Sequence, residues 1–169
     1  MEIENKFEKI IPSKDYKHRN GFNNNNIVDN LSQSEKKELE DWLIEKLLID
    51  RELDTLIVET LAYLKSNKAL PILNNLLKTS SNEMVKLIIS TSIFEISHDN
   101  MMVSIAISSL KNIDNINDSY YVFKITSAFY YLIKFNSVDV NNIIREYTHH
   151  KEYLISYNAQ RALRLSLEI

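Results

Sequence analysis

At 169 residues the chain fits one domain with a sizeable core, and 44% hydrophobic with 25% charged residues is ordinary for a globular protein. The absence of cysteine excludes disulfides, thiol catalysis and cysteine-ligated zinc, and a single glycine with two prolines excludes glycine-rich phosphate loops and argues against all-β folds. A net charge of −3 and a pI near 5.8 run against the basic face of a nucleic-acid binder.

The start, MEIENKFEKIIPSKD, is charged and has no apolar core of the signal-peptide kind. No run of about 18 apolar residues is present, so no membrane span is expected and the cytoplasm is the default location. Residues 1–30 hold Pro12, Gly21 and the run Asn23 to Asn26 without a sustained period. Ile3, Phe7, Ile10 and Ile11 fall at helical spacing, so a short helix is expected there, followed by a partly irregular N-terminal arm laid over the first helices.

The strong helical pattern begins at Ser32-Gln33-Ser34-Glu35, which fits a capping box. Leu39, Trp42, Leu43 and Leu47 then form one apolar stripe, with Glu38, Asp41 and Glu45 on another face, and the pattern stops near Ile49-Asp50. Residues 31–60 carry nine acids and four bases, whereas residues 61–169 carry nine acids and eleven bases. The acidic face of this lead-in helix would suit a basic partner.

From Leu53 onward the chain repeats itself. Leu53, Leu56, Ile57, Leu61 and Leu64 form a helical face with Thr60 inside it. A step of 32 residues gives Val85, Ile88, Ile89, Ser92, Ile93 and Ile96, and a further 36 gives Tyr121, Lys124, Ile125, Ala128, Phe129 and Leu132. The small residue recurs (Thr60, Ser92, Ala128) where two helices would approach closely. After each comes a polar turn and a second helix. The first is capped by Asn67, has Pro71 in its first turn, and turns Leu70, Leu73, Leu76 and Leu77 inward. The second is capped by Asp99 or Asn100, with Met102, Ile105 and Leu110 inward. The third begins at Asp139, with Val140, Ile143, Ile144 and Tyr147 inward. A closing helix spans Tyr153 to Leu167. The expected architecture is all-α: an α-solenoid of about eight antiparallel helices, made of a lead-in helix, three pairs and a closing helix over residues 31–169.

The string IVETLAYLKSNKALPILNNLLK resembles a HEAT-type unit of the short, phycobilisome-lyase-like kind. Ala62 and Leu64 precede the turn, Ala69-Leu70-Pro71 and Leu76-Leu77 follow it, and YNAQRAL (Tyr157 to Leu163) resembles the start of another unit. The usual Asp and Arg ladder is largely missing, and the second and third pairs lack the A-L-P signature. The resemblance implies a helical-repeat scaffold and no particular activity. In arrays of this kind the second helix of each pair lines the concave side, which makes Asn74, Asn75, Lys78, Ser104, Ser108, Lys111, Asn142, Arg145 and Glu146 the expected partner surface, extended by Glu38, Asp41 and Glu45.

Catalytic signatures are missing from the string: no Ser-His-Asp order, phosphate loop or dinucleotide fingerprint can be proposed. His149 and His150 are adjacent and diverge by about 100° on a helix, His98 falls in a turn, and no third ligand presents itself to complete a metal site. Neither a metal nor a cofactor is expected. Tyr120, Tyr121, Tyr130 and Tyr131, beside Phe123 and Phe129, serve either as packing between units or as an aromatic binding patch. The expected function is a non-enzymatic, protein-binding module in a bacterial cytoplasm; a small HEAT-like chain also resembles immunity proteins that neutralise a co-encoded toxin. The alternatives are an accessory factor of the lyase-like kind with an apolar pocket for a chromophore or cofactor, and a nucleic-acid binder with a basic groove.

Overall fold

Ser32 starts the first long helix as its spacing predicts: its hydroxyl accepts from the Glu35 amide and the Glu35 carboxylate accepts from the Ser32 amide. This helix and the others are seen in a computed structural model that describes residues 7–19, 21–50, 52–114 and 119–168. Among them lie ten α-helices and no strand. They are α1 (Tyr16–Arg19), α2 (Asn25–Asp29), α3 (Gln33–Ile49), α4 (Thr55–Tyr63), α5 (Leu70–Thr79), α6 (Glu83–Ser97), α7 (Met101–Asp114), α8 (Tyr121–Leu132), α9 (Val138–Glu146) and α10 (Tyr153–Leu165). The fold is all-helical, as predicted. Helices α3 to α10 fall where the apolar periods place them; α1 and α2 are single turns, too short to leave a period in the sequence.

The packing alternates. α4 packs on α6, α6 on α8 and α8 on α10, while α5 packs on α6, α7 on α6 and α8, and α9 on α10 and α7. α6 therefore has neighbours on most sides, and all of Leu87 to Ile93 is buried. The sequence stripe placed Ile88, Ile89, Ser92, Ile93 and Ile96 inward; Leu87, Ser90 and Thr91 join them because the helix is enclosed. The two extra hydroxyls are not orphaned, since Ser90 and Thr91 both donate to the Leu87 carbonyl at 3.0 and 2.8 Å. Thr60, Ser92 and Ala128 are all buried, in keeping with close approach at that position of each helix.

One cap differs from expectation. Ser66, not Asn67, accepts from the Ala69 amide, and a 3₁₀ turn over Asn67–Ala69 precedes α5. Asn67 sits inside that turn and Pro71 occupies the first turn of α5, where its missing N–H costs nothing. The turns after the three stacked helices share a device. Lys65, His98 and Asn136 each adopt a positive φ, of 56°, 56° and 44°, just beyond α4, α6 and the 3₁₀ turn that extends α8. A left-handed residue stops a helix and redirects the chain, a position usually given to glycine.

Residues 7–30 are held by specific bonds. Phe7 and Ile10 are fully buried, and the Phe7 ring lies 5.6 Å from Trp42 of α3. The Asn24 amide donates to the Ile10 carbonyl at 3.0 Å and to the Thr60 hydroxyl at 2.7 Å. Arg19 makes a bidentate pair with Asp54 at 2.7 and 3.2 Å, and Asp54 also caps α4 through the Leu56 amide. Tyr63 donates to Asp29 at 2.7 Å. The segment thus lies along α3 and α4, with polar rather than purely apolar anchors.

Candidate functional site

The partner surface expected from the sequence lies on the outer sides of α3, α5, α7 and α9. Glu38, Asp41 and Glu45, Asn75 and Lys78, Ser104, Ser108 and Lys111, and Asn142, Arg145 and Glu146 are all exposed. Asn74 is half-buried and spends its amide on the Leu70 carbonyl of its own helix. Local bonds occupy others: Asp41 accepts from Lys68 at 2.9 Å, Asn142 from Arg145 at 2.7 Å, and Ser104 donates to the Met101 carbonyl. Their spread over four helices makes a broad polar surface, and none of them lines the cavities described next.

Those cavities are lined by the N-terminal segment, α4, α6, α8 and the turn after it. Three of them, of about 370, 360 and 350 Å³, share one residue, Glu59. It projects from the middle of α4, the apolar string TLIVETLAY. One cavity runs toward Lys14, Arg19 and Asp54, a second toward Phe22, Glu95 and Lys134, and the third toward Ser127, Tyr130 and Tyr131. Glu59 therefore lies where the three cavities adjoin, and together they are called the cleft.

The cleft is wired across helices. Tyr131 of α8 donates to Glu59 of α4 at 2.9 Å, and Lys134 pairs with Glu95 of α6 at 3.2 Å. The Lys134 ammonium also lies 5.7 Å from the Tyr131 ring. Tyr130 donates to Asn158 of α10 at 2.7 Å. Burial pushes the Glu59 carboxyl above its usual value, opposed by the Tyr131 hydrogen bond and the Lys134 charge and assisted by Glu95 and Asp54. Burial and the adjoining Glu59 charge likewise raise the Tyr131 phenol. A carboxylate that accepts from one phenol retains acceptor capacity for further donors. The lining thus holds one carboxylate, Glu59, bonded to a phenol rather than to a cation, beside the Glu95–Lys134 and Arg19–Asp54 pairs and two tyrosines.

The tyrosines divide accordingly. Tyr130 and Tyr131 reach neighbouring helices, whereas Tyr120 and Phe123 are exposed. The histidines are dispersed: His18 contacts Asp15, His98 ends α6, and the His150 ring accepts from the Glu152 amide while His149 is exposed. Among the described residues no three His, Asp or Glu side chains converge as a metal site would require, and no helix is long and apolar enough to cross a membrane.

Glu59, Glu95 and Lys134 were not singled out from the sequence. Two signals could have found them. A lone carboxylate within TLIVETLAY must be partnered if the helix is enclosed. The repeat steps of 32 and 36 residues also bring Tyr63, Glu95 and Tyr131 into one column, three polar or aromatic groups at a position next to the buried face. Compared with family models, curated proteins and solved structures, the chain matches none.

Proposed function

We propose that this chain is an α-solenoid of HEAT-like helix pairs that binds another protein and catalyses no reaction on it. The stacking of α4, α6, α8 and α10 in succession, each of the first three followed by a left-handed turn residue, supports the solenoid reading. The observation that carries the binding role is the cleft centred on Glu59, where a half-buried carboxylate, a second carboxylate paired with a lysine, and two tyrosines converge from three helices packed in succession. Tyrosine beside a desolvated charge is the composition of an interface hot spot. The partner inserts a lysine or arginine here, and the polar outer faces of α3, α5, α7 and α9 form the second contact surface.

The charged lining of the cleft favours this over a chromophore or cofactor carrier, which needs an apolar pocket. Its rim balances Lys14, Arg19 and Lys134 against Asp54, Glu59 and Glu95, so it does not offer the basic groove of a nucleic-acid binder. The narrower reading is an immunity protein of a bacterial cytoplasm that neutralises a toxin encoded beside it.

The test is direct. The product of the adjoining gene is mixed with wild type, with Glu59→Gln plus Glu95→Gln, and with Asp41→Lys plus Glu45→Lys. Binding by wild type, weakened about tenfold or more by the glutamine pair (about 1.4 kcal/mol), supports the cleft. Unchanged binding by the glutamine pair with loss in the lysine pair moves the contact to the acidic face of α3. If neither the adjoining product nor any protein from the native host is retained, the binding role fails.

A further inference from the structure

α10 turns Ile155, Ala159 and Ala162 into the core and leaves Tyr153, Tyr157, Arg161 and Arg164 exposed in a stripe at i, i+4, i+8 and i+11. Tyr153 is 70% exposed, its ring stacks on Tyr157 at 5.9 Å, and Leu154 beside them is 51% exposed. The helix holds two arginines and no acid. Tyr153 is largely exposed and Tyr157 42% exposed, and beyond their mutual stacking no other element among the described residues covers this side of α10, which is an unpartnered face.

α3 carries the complement. Glu38, Asp41 and Glu45 form an exposed acidic stripe, and Leu48 and Ile49, both 67% exposed, follow at its C-terminal end. The order along the two helices is reversed: acid then aliphatic on α3, aromatic then basic on α10. The lengths agree as well. Glu38 to Ile49 and Tyr153 to Arg164 are both eleven positions apart, about 16 Å at the helical rise of 1.5 Å per residue.

We propose that α10 of one molecule docks antiparallel on α3 of a second copy. In that register Leu48 and Ile49 cover Tyr153 and Leu154, while Asp41 and Glu38 meet Arg161 and Arg164. A parallel register would set aliphatic against arginine and acid against tyrosine, so charge and apolarity both choose the antiparallel one. The Asp41–Lys68 pair is exposed on both sides and exchanges partners at little cost. The end-to-end geometry rests on the solenoid reading: α3 packs on α4 at the start of the stack and α10 on α8 and α9 at its end, so one contact leaves a free α3 and a free α10 to recruit further copies. Two helix faces make a small interface, and association is accordingly weak, concentration-dependent and salt-sensitive.

Sedimentation equilibrium of the full chain reads this. At low ionic strength the weight-average mass of wild type rises above 19.8 kDa with concentration and returns to it in high salt. Arg161→Glu with Arg164→Glu, and separately Glu38→Lys with Asp41→Lys, each hold the chain at 19.8 kDa while circular dichroism shows unchanged helix. An equimolar mixture of the two folded variants associates again, because each offers the face that the other lacks. Wild type that stays at 19.8 kDa, association that survives the arginine reversals, or a mixture that fails to reassociate overturns the proposal. A mass that stops at twice 19.8 kDa, yet is abolished by both reversals, keeps the α3–α10 contact and defeats the solenoid geometry instead.

Discussion

Asn24 ties the N-terminal segment to the helical stack, and its truncation isolates that tie. The side chain is buried, donates to both the Ile10 carbonyl and the Thr60 hydroxyl, and makes no capping bond to α2. Asn24→Ala therefore deletes two hydrogen bonds and strands two buried acceptors; Thr60 keeps only its own donation to the Leu56 carbonyl at 2.6 Å. With about 1 kcal/mol net per bond and a further desolvation cost for the stranded oxygens, the loss is about 2–4 kcal/mol. For a chain of this length that lowers Tm by roughly 5–15 °C. Urea denaturation gives the free energy, and Thr60→Val, which removes the acceptor while preserving shape, completes a double-mutant cycle. The coupling should be on the order of 1 kcal/mol. A loss below about 0.5 kcal/mol, or strict additivity with Thr60→Val, refutes the reasoning, because surface changes alone produce effects of that size.

Two further outcomes test the cleft and the turns. The folded state raises the Glu59 pKa above the unfolded value of about 4.3, so its ionised form opposes folding. That penalty is absent below the unfolded pKa and grows as pH rises through the folded one. Glu59→Gln should therefore be more stable than wild type at neutral pH, with the gap closing below about pH 4; urea titrations across this range check it, and a gap independent of pH counts against a desolvated Glu59 carboxylate. At His98, where φ is 56°, valine should destabilise by about 1–2 kcal/mol more than glycine does, since a β-branched residue resists the left-handed region. Thermal melts of His98→Val and His98→Gly settle that, and equal melts would mean the turn does not need its observed backbone.

The sequence was most readable where local chemistry decides. The Ser32–Glu35 box, the stripe of α5 and the position of Pro71 depend on residues within a few places of one another, and the structure has them as expected. Enclosure was not readable. Ser90 and Thr91 look like a polar side of α6 until the helix is surrounded, and their donation to Leu87 is what makes the burial tolerable. The polar turns were expected, but not their backbone: Lys65, His98 and Asn136 take the left-handed conformation without glycine, which residue type alone does not announce. The partner surface was sought on exposed residues of the second helices because periodicity distinguishes inside from outside. Within one helix it does not reveal which groups bond across helices, as Glu59 does to Tyr131 and Glu95 to Lys134; only the column of Tyr63, Glu95 and Tyr131 along the repeat hinted at it.

The Tyr131–Glu59 bond also bears on how the helices come apart. Where units touch only their neighbours, an array frays from its ends one step at a time, and amide exchange grades smoothly along it. α6 lies against both α4 and α8, yet this bond joins α4 to α8 directly, bridging 72 residues of sequence. Three helices so clasped lose protection together. The centre should exchange as one cooperative block, bounded by faster-opening flanks.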